Sequence, residues 1–134
     1  MTMKFKETKM LIRTGLISVY GPIVLFVVSC CLLSNYIAVN IVKSSIADFI
    51  VTVTLFISIV VGWVWWSYKI VKWKVWAFSQ VDLQGAYDLY NQSIECGLIW
   101  PAGSFFNRTE IWTKKDMVRW NDINSNIRSV FTRK

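Results

Sequence analysis

Histidine is absent from this chain, and its three cysteines form no CxxC pair. A metal site built on imidazole or paired thiolates is therefore not expected. Catalysis loses its commonest base with the histidines. The remaining candidates are Cys96 and the acids Asp82, Asp88, Glu95, Glu110, Asp116 and Asp122, whose spacing suggests solvated helix faces. No enzymatic activity and no cofactor are expected. Cys30 and Cys31 fall in an apolar run and Cys96 stands alone in a polar stretch, so the cysteines make no disulfide framework.

Charge is the second shortage. None occurs between Arg13 and Lys43 or between Asp48 and Lys69. Ionisable groups within a membrane mark carriers and proton relays, so their absence argues against a pump or carrier acting alone. The net charge of +7 comes mostly from clusters flanking the apolar part. No groove-reading or base-stacking module accompanies it, so nucleic acid is not an expected partner.

What the chain does have is apolar sequence, 54% of it against the 45–50% usual for soluble chains. The excess lies in residues 16–78, where Asp48 is the sole acid and Lys43, Lys69, Lys72 and Lys74 the sole bases. A helix needs about 20 apolar residues to cross about 30 Å of hydrocarbon. Residues 16–39 and 49–68 meet that length, and because only helices and closed barrels satisfy every backbone group in lipid, both read as transmembrane helices. The first is too long for a secretory signal core and reads as an uncleaved anchor. Gly21-Pro22 lies in its inner third, where proline removes one backbone hydrogen bond and favours a kink that Ser18 partly satisfies.

The expected architecture is an all-α membrane protein. A basic cytosolic segment (1–15) precedes a two-helix transmembrane hairpin with a short extracytosolic loop (40–48); an aromatic and basic interfacial segment (69–78) and a cytosolic, mainly helical tail (79–134) follow. Orientation follows Lys/Arg bias. Lys4, Lys6, Lys9 and Arg13 before the first span, with Lys69, Lys72 and Lys74 after the second, outweigh Lys43 in the loop. Both termini are thus expected in the cytosol, the membrane being the cell's inner or plasma membrane. Trp63, Trp65, Trp66, Tyr68, Trp73 and Trp76 crowd the end of the second span, as an aromatic belt does with the neighbouring lysines. Trp66, Lys69, Trp73 and Trp76 recur at helical spacing and are expected on one side.

In the tail, Ser79 and Asp82 make an S-x-x-D start, and Leu83, Tyr87, Tyr90, Ile94 and Leu98 recur at helical spacing until Gly97 and Pro101. Residues 105–112 read as loop or a short strand. A second tail helix is expected after Thr113, which with Asp116 makes a T-x-x-D start; Met117, Trp120, Ile123, Ile127, Val130 and Phe131 share one face. The acidic first helix and basic second suggest an antiparallel pair, with Lys114, Lys115, Arg119, Trp120 and Arg128 available for interaction. The competing arrangement lays the last helix on the membrane. Asn91 and Asn107 stand in N-x-S/T sequons, read as chance matches on the cytosolic side.

Thr54, Ser58 and Gly62 recur every four residues, as do Cys30, Ser34 and Ala38, giving small-residue stripes that let helices approach closely. They suit packing within the hairpin or docking of another subunit. The lipid bilayer is the first expected partner, and a membrane protein or a second copy the next. The favoured function is a non-enzymatic accessory subunit of a larger membrane assembly, binding through hairpin and tail. Two alternatives are a self-assembling protein that permeabilises or shapes the membrane, and an immunity or exclusion protein that blocks an incoming membrane factor.

Overall fold

The computed structural model of the chain describes the backbone of residues 2–42 and 46–131, with side chains of residues 7–40, 46–82 and 84–125. Among these residues the structure is all-helical and contains no strand. Helix α1 (Thr2–Ile37) is followed by a π-helical turn (Ala38–Val42), then α2 (Ile46–Phe78), α3 (Leu83–Glu95), a 3-10 turn (Phe105–Thr109) and α4 (Lys114–Phe131). With 36 and 33 residues, α1 and α2 are both long and apolar enough to cross a membrane.

Of the segment 40–48, residues 40–42 belong to the π-helical turn and 46–48 to α2. Helical turns run through Val42 and resume at Ile46, so Asp48 stands in the first turn of α2, where the positive end of the macrodipole favours a carboxylate. Ile41, Val42 and Ile46 are poor turn formers, and helical hydrogen bonding is the economical way to satisfy their backbone. Lys43, the loop cation, lies outside the described residues. So do the side chains of Lys4 and Lys6. Helix α1 continues through Pro22, and the Ser18 hydroxyl donates to the Gly15 carbonyl at 3.3 Å, a bond upstream of the one that proline removes.

The chain divides into two compact units: Met1–Ser18 with Ser67–Lys134, and Val19–Trp66. The second is a helical hairpin with an inverted surface. Leu25, Leu33, Phe49 and Phe56 leave 60–71% of their area exposed, while Ser34, Ala38, Ser58 and Gly62 are buried. The helices come close where Gly62 meets Ile23: a Cβ added at Gly62 would stand 3.1 Å from Ile23 Cγ2.

The other unit has a conventional core. Leu11 and Ile12 of α1, Ile70, Val71, Trp73 and Phe78 of α2, Ala86 and Leu89 of α3, and Leu98 and Ile99 after it are all buried. The end of α2 is buried around much of its circumference, with Lys69, Lys72 and Lys74 set among its apolar residues. Helix α3 is capped by Asp82, whose carboxylate accepts from the Gly85 N–H at 2.9 Å; Ser79 instead donates to the Trp76 carbonyl. It ends in a Schellman motif. Gly97, at φ +67°, lets the Leu98 N–H reach the Ser93 carbonyl at 2.9 Å, and Leu98 drops into the core.

The buried face of α3 differs from the one read in the sequence. It is Ala86, Leu89 and Ser93, whereas Tyr87 is 60% exposed. Small residues allow close packing, and a tyrosine hydroxyl needs a polar partner; that of Tyr90 accepts from the Ala102 N–H at 3.0 Å. The Leu83 side chain lies outside the described residues. The 3-10 turn at Phe105–Thr109 stands where loop or strand was expected. Helix α4 starts after Thr113, whose hydroxyl accepts from the Asp116 N–H. Helices α3 and α4 are in contact, but Trp120 packs on Phe78, edge to face at 5.4 Å, and lies 5.9 Å from Trp112.

Candidate functional site

Within the hairpin, the stripe residues occupy its interior or its edge. Ser34, Ala38, Ser58 and Gly62 are buried; Cys30 and Thr54 are half-buried. Their hydroxyls do not reach across to the facing helix. Ser34 donates to the Cys30 carbonyl (2.7 Å), Thr54 to Ile50 (2.9 Å) and Ser58 to Thr54 (2.8 Å), each one turn back in its own helix. What the stripe supplies is therefore smallness rather than interhelical hydrogen bonds. An apolar cleft of about 210 Å³ opens beside Gly62, lined by Pro22, Ile23, Phe26, Val61 and Trp65.

The aromatic and basic residues read as one interfacial belt fall into two groups. Trp63, Trp65, Tyr68 and Trp76 are 37–43% exposed. Trp66 and Trp73 are buried, and the Trp73 indole N–H donates to the Leu11 carbonyl at 3.1 Å. The lysines divide as well. Lys74 pairs with Glu110, and both side chains are almost fully enclosed; Lys72 pairs with Asp116 at 2.6 Å. Lys72 and Lys74 thus turn to acids of the same chain. Lys69 is half-buried. The Ile111 N–H donates to the Ser67 carbonyl at 3.0 Å, so the segment leading into the first turn of α4 is fastened to α2 at three points, Glu110, Ile111 and Asp116.

Burial raises the Asp116 pKa, but hydrogen bonds from Lys72 and Thr113 outweigh it and hold the carboxyl below its ordinary 3.8. The same hydrogen bond raises Lys72 above its ordinary 10.5. Both groups therefore remain charged across the physiological range. Beside them a groove of about 470 Å³ lies between the end of α2 and α4, lined by Lys72, Trp76, Lys115, Asp116, Arg119 and Asp122 among others. Lys114, Lys115 and Arg119 are exposed, and Trp120 is half-buried. The side chains of Arg128, Ile127, Val130 and Phe131 lie outside the described residues.

Among the described residues no group of His, Cys, Asp or Glu has the arrangement of a metal site. Cys30 and Cys31 are half-buried free thiols and Cys96 an exposed one. Asn107 donates to the Pro101 carbonyl at 2.8 Å and serves the loop. Glu110 and Asp116, read along the chain as acids on solvated helix faces, are instead enclosed and paired with lysines of α2. Gly15 and the Leu11 carbonyl were missed, and both matter only through Trp73. Comparison with protein-family models, with curated proteins and with solved structures finds no match.

Proposed function

We propose that the chain is an integral membrane protein that crosses the bilayer twice, with both termini in the cytosol, and serves as a non-enzymatic accessory subunit of a larger membrane assembly. The observation that carries this reading is the inverted surface of Val19–Trp66: large apolar side chains outward, small and hydroxyl side chains inward. Water penalises such a surface and lipid does not. The hydroxyls bonded to their own helices suit lipid for the same reason.

Two arguments support the topology. Residues on both sides of the hairpin, such as Leu11 and Trp73, fold as one unit, which fits flanks that share a compartment. The lysines after the second span keep their weight although two are paired, because orientation follows Lys and Arg and gives acids little weight. The accessory role is supported by the absence of Asp, Glu, Lys and Arg between Arg13 and Lys43 and between Asp48 and Lys69. A hairpin so built has little to conduct or transform with and much surface for another helix to cover.

Labelling of single cysteines introduced at Ser44 and Ser125, in a variant lacking the native three, tests the topology in sealed vesicles. The expected result is labelling from opposite sides. Labelling of both from one side removes the hairpin. For the role, affinity purification is expected to recover a membrane partner in fixed stoichiometry. Homo-oligomers that leak dye from vesicles would replace the accessory reading with the permeabilising one.

A further inference from the structure

We propose that the groove between the end of α2 and α4 binds the phosphate of an anionic phospholipid headgroup; this rests on the membrane reading above. The groove holds about 470 Å³. Its lining carries three cations, Lys72, Lys115 and Arg119, against two acids, Asp116 and Asp122. Lys72 and Asp116 neutralise each other at 2.6 Å. Arg119 acts electrostatically on both. Lys115, by contrast, forms no ion pair among the described residues, and neither does its neighbour Lys114.

These two lysines occupy the first turn of α4, where the helix macrodipole is positive and cations are disfavoured. The acid of that turn, Asp116, is engaged by Lys72, which leaves both lysines without a paired carboxylate among the described residues. An external anion seated between Lys115 and Arg119 would compensate them, and the lining's net single positive charge matches a phosphodiester. The groove's apolar lining distinguishes a lipid from free phosphate. It comprises Val75 and Trp76 of α2 and Ile123 of α4, with Trp76 43% exposed. A free phosphate has no use for an apolar wall, whereas a headgroup brings its glycerol and first methylenes, and indoles favour the headgroup layer.

The full chain in mild non-ionic detergent, titrated with phosphatidylglycerol or phosphatidylcholine and read by native mass spectrometry, tests the site. Each cation near an anionic lipid favours it by about fivefold, so with Lys115 and Arg119 phosphatidylglycerol is expected to bind roughly 25-fold better than phosphatidylcholine. The double variant Lys115→Ala/Arg119→Ala is expected to lose that preference with its helical circular dichroism and melting temperature unchanged. Arg108→Ala, on an exposed residue outside the groove, is expected to keep it. Equal retention of the two lipids, or a preference that survives in the double variant, overturns the site. Competition by inorganic phosphate at millimolar concentration overturns the lipid as its source. Extraction of the wild-type chain from membranes by alkaline carbonate would instead overturn the membrane reading itself.

Discussion

Gly15→Ala sets two effects of known sign against each other. In a helix interior, alanine is favoured over glycine by about 1 kcal/mol, so helix propensity alone has the variant more stable. The structure reverses this. A Cβ at position 15 would stand 2.5 Å from Trp73 Nε1 and 2.7 Å from both Trp73 Cε2 and Leu98 Cδ2. Neither neighbour has room to yield: Trp73 is 4% exposed with its N–H held by the Leu11 carbonyl, and Leu98 is fully buried below the Schellman turn. Overpacking costs about 1–3 kcal/mol, and moving the indole off Leu11 adds about 1 kcal/mol. Against the propensity gain, the net expectation is a loss of about 1–3 kcal/mol. Gly21→Ala is the control, since a Cβ there meets nothing within 4 Å. Thermal and denaturant melts of the purified protein in detergent, followed by tryptophan fluorescence, measure both. A Gly15→Ala protein as stable as wild type or more so would refute the packing of α1 against Trp73.

Glu110→Gln is expected to cost about 3–5 kcal/mol in the same melts, because it leaves an enclosed Lys74 ammonium without its counter-charge, whereas Lys74→Met/Glu110→Leu is expected within about 1 kcal/mol of wild type. The Lys72–Asp116 pair sets a pH window. Asp116 is lowered from 3.8, so its contribution is complete above that value and lost as pH falls through the lower folded value; Lys72 is raised from 10.5, so its contribution is complete below that value and lost as pH rises through the higher folded one. The stability difference between wild type and Lys72→Met, measured by melting across pH, is therefore expected to be flat between these limits and to shrink outside them. Gly62→Leu, pressed against Ile23, is expected to cost about 1–3 kcal/mol, and Leu55→Ile, on the exposed face, much less; equal melting of the two would remove the close helix approach at Gly62.

The long helices were legible because hydropathy and length are local properties. Residues 16–39 and 49–68 announce α1 and α2 without reference to any partner, and Thr113 announces the start of α4 through a hydrogen bond spanning three residues. The phase of α3 was harder. Its sequence offers two faces, one with tyrosines and one through Ala86, Leu89 and Ser93, and the outcome depended on what lay opposite. Counting large apolar residues favours the tyrosine face. Close packing favours the small one.

The positive charges after the second span show why the candidate site was less legible than the fold. Read along the chain, Lys69, Lys72 and Lys74 form one cluster beside one belt of tryptophans, and a single role suits them all. Their acidic partners lie 44 residues away for Lys72 and 36 for Lys74, and Trp73 meets the Leu11 carbonyl across 62 residues. No local pattern records such pairings. They matter because they remove Lys72 and Lys74 from the charge available to lipid while leaving it on Lys114, Lys115 and Arg119, in a helix whose first turn disfavours cations. A cluster read along the chain as orienting it can thus be paired inside the folded unit. The exposed cations Lys114, Lys115 and Arg119 come from a segment some forty residues further on, which the sequence marked as available for interaction without showing what lies beside it.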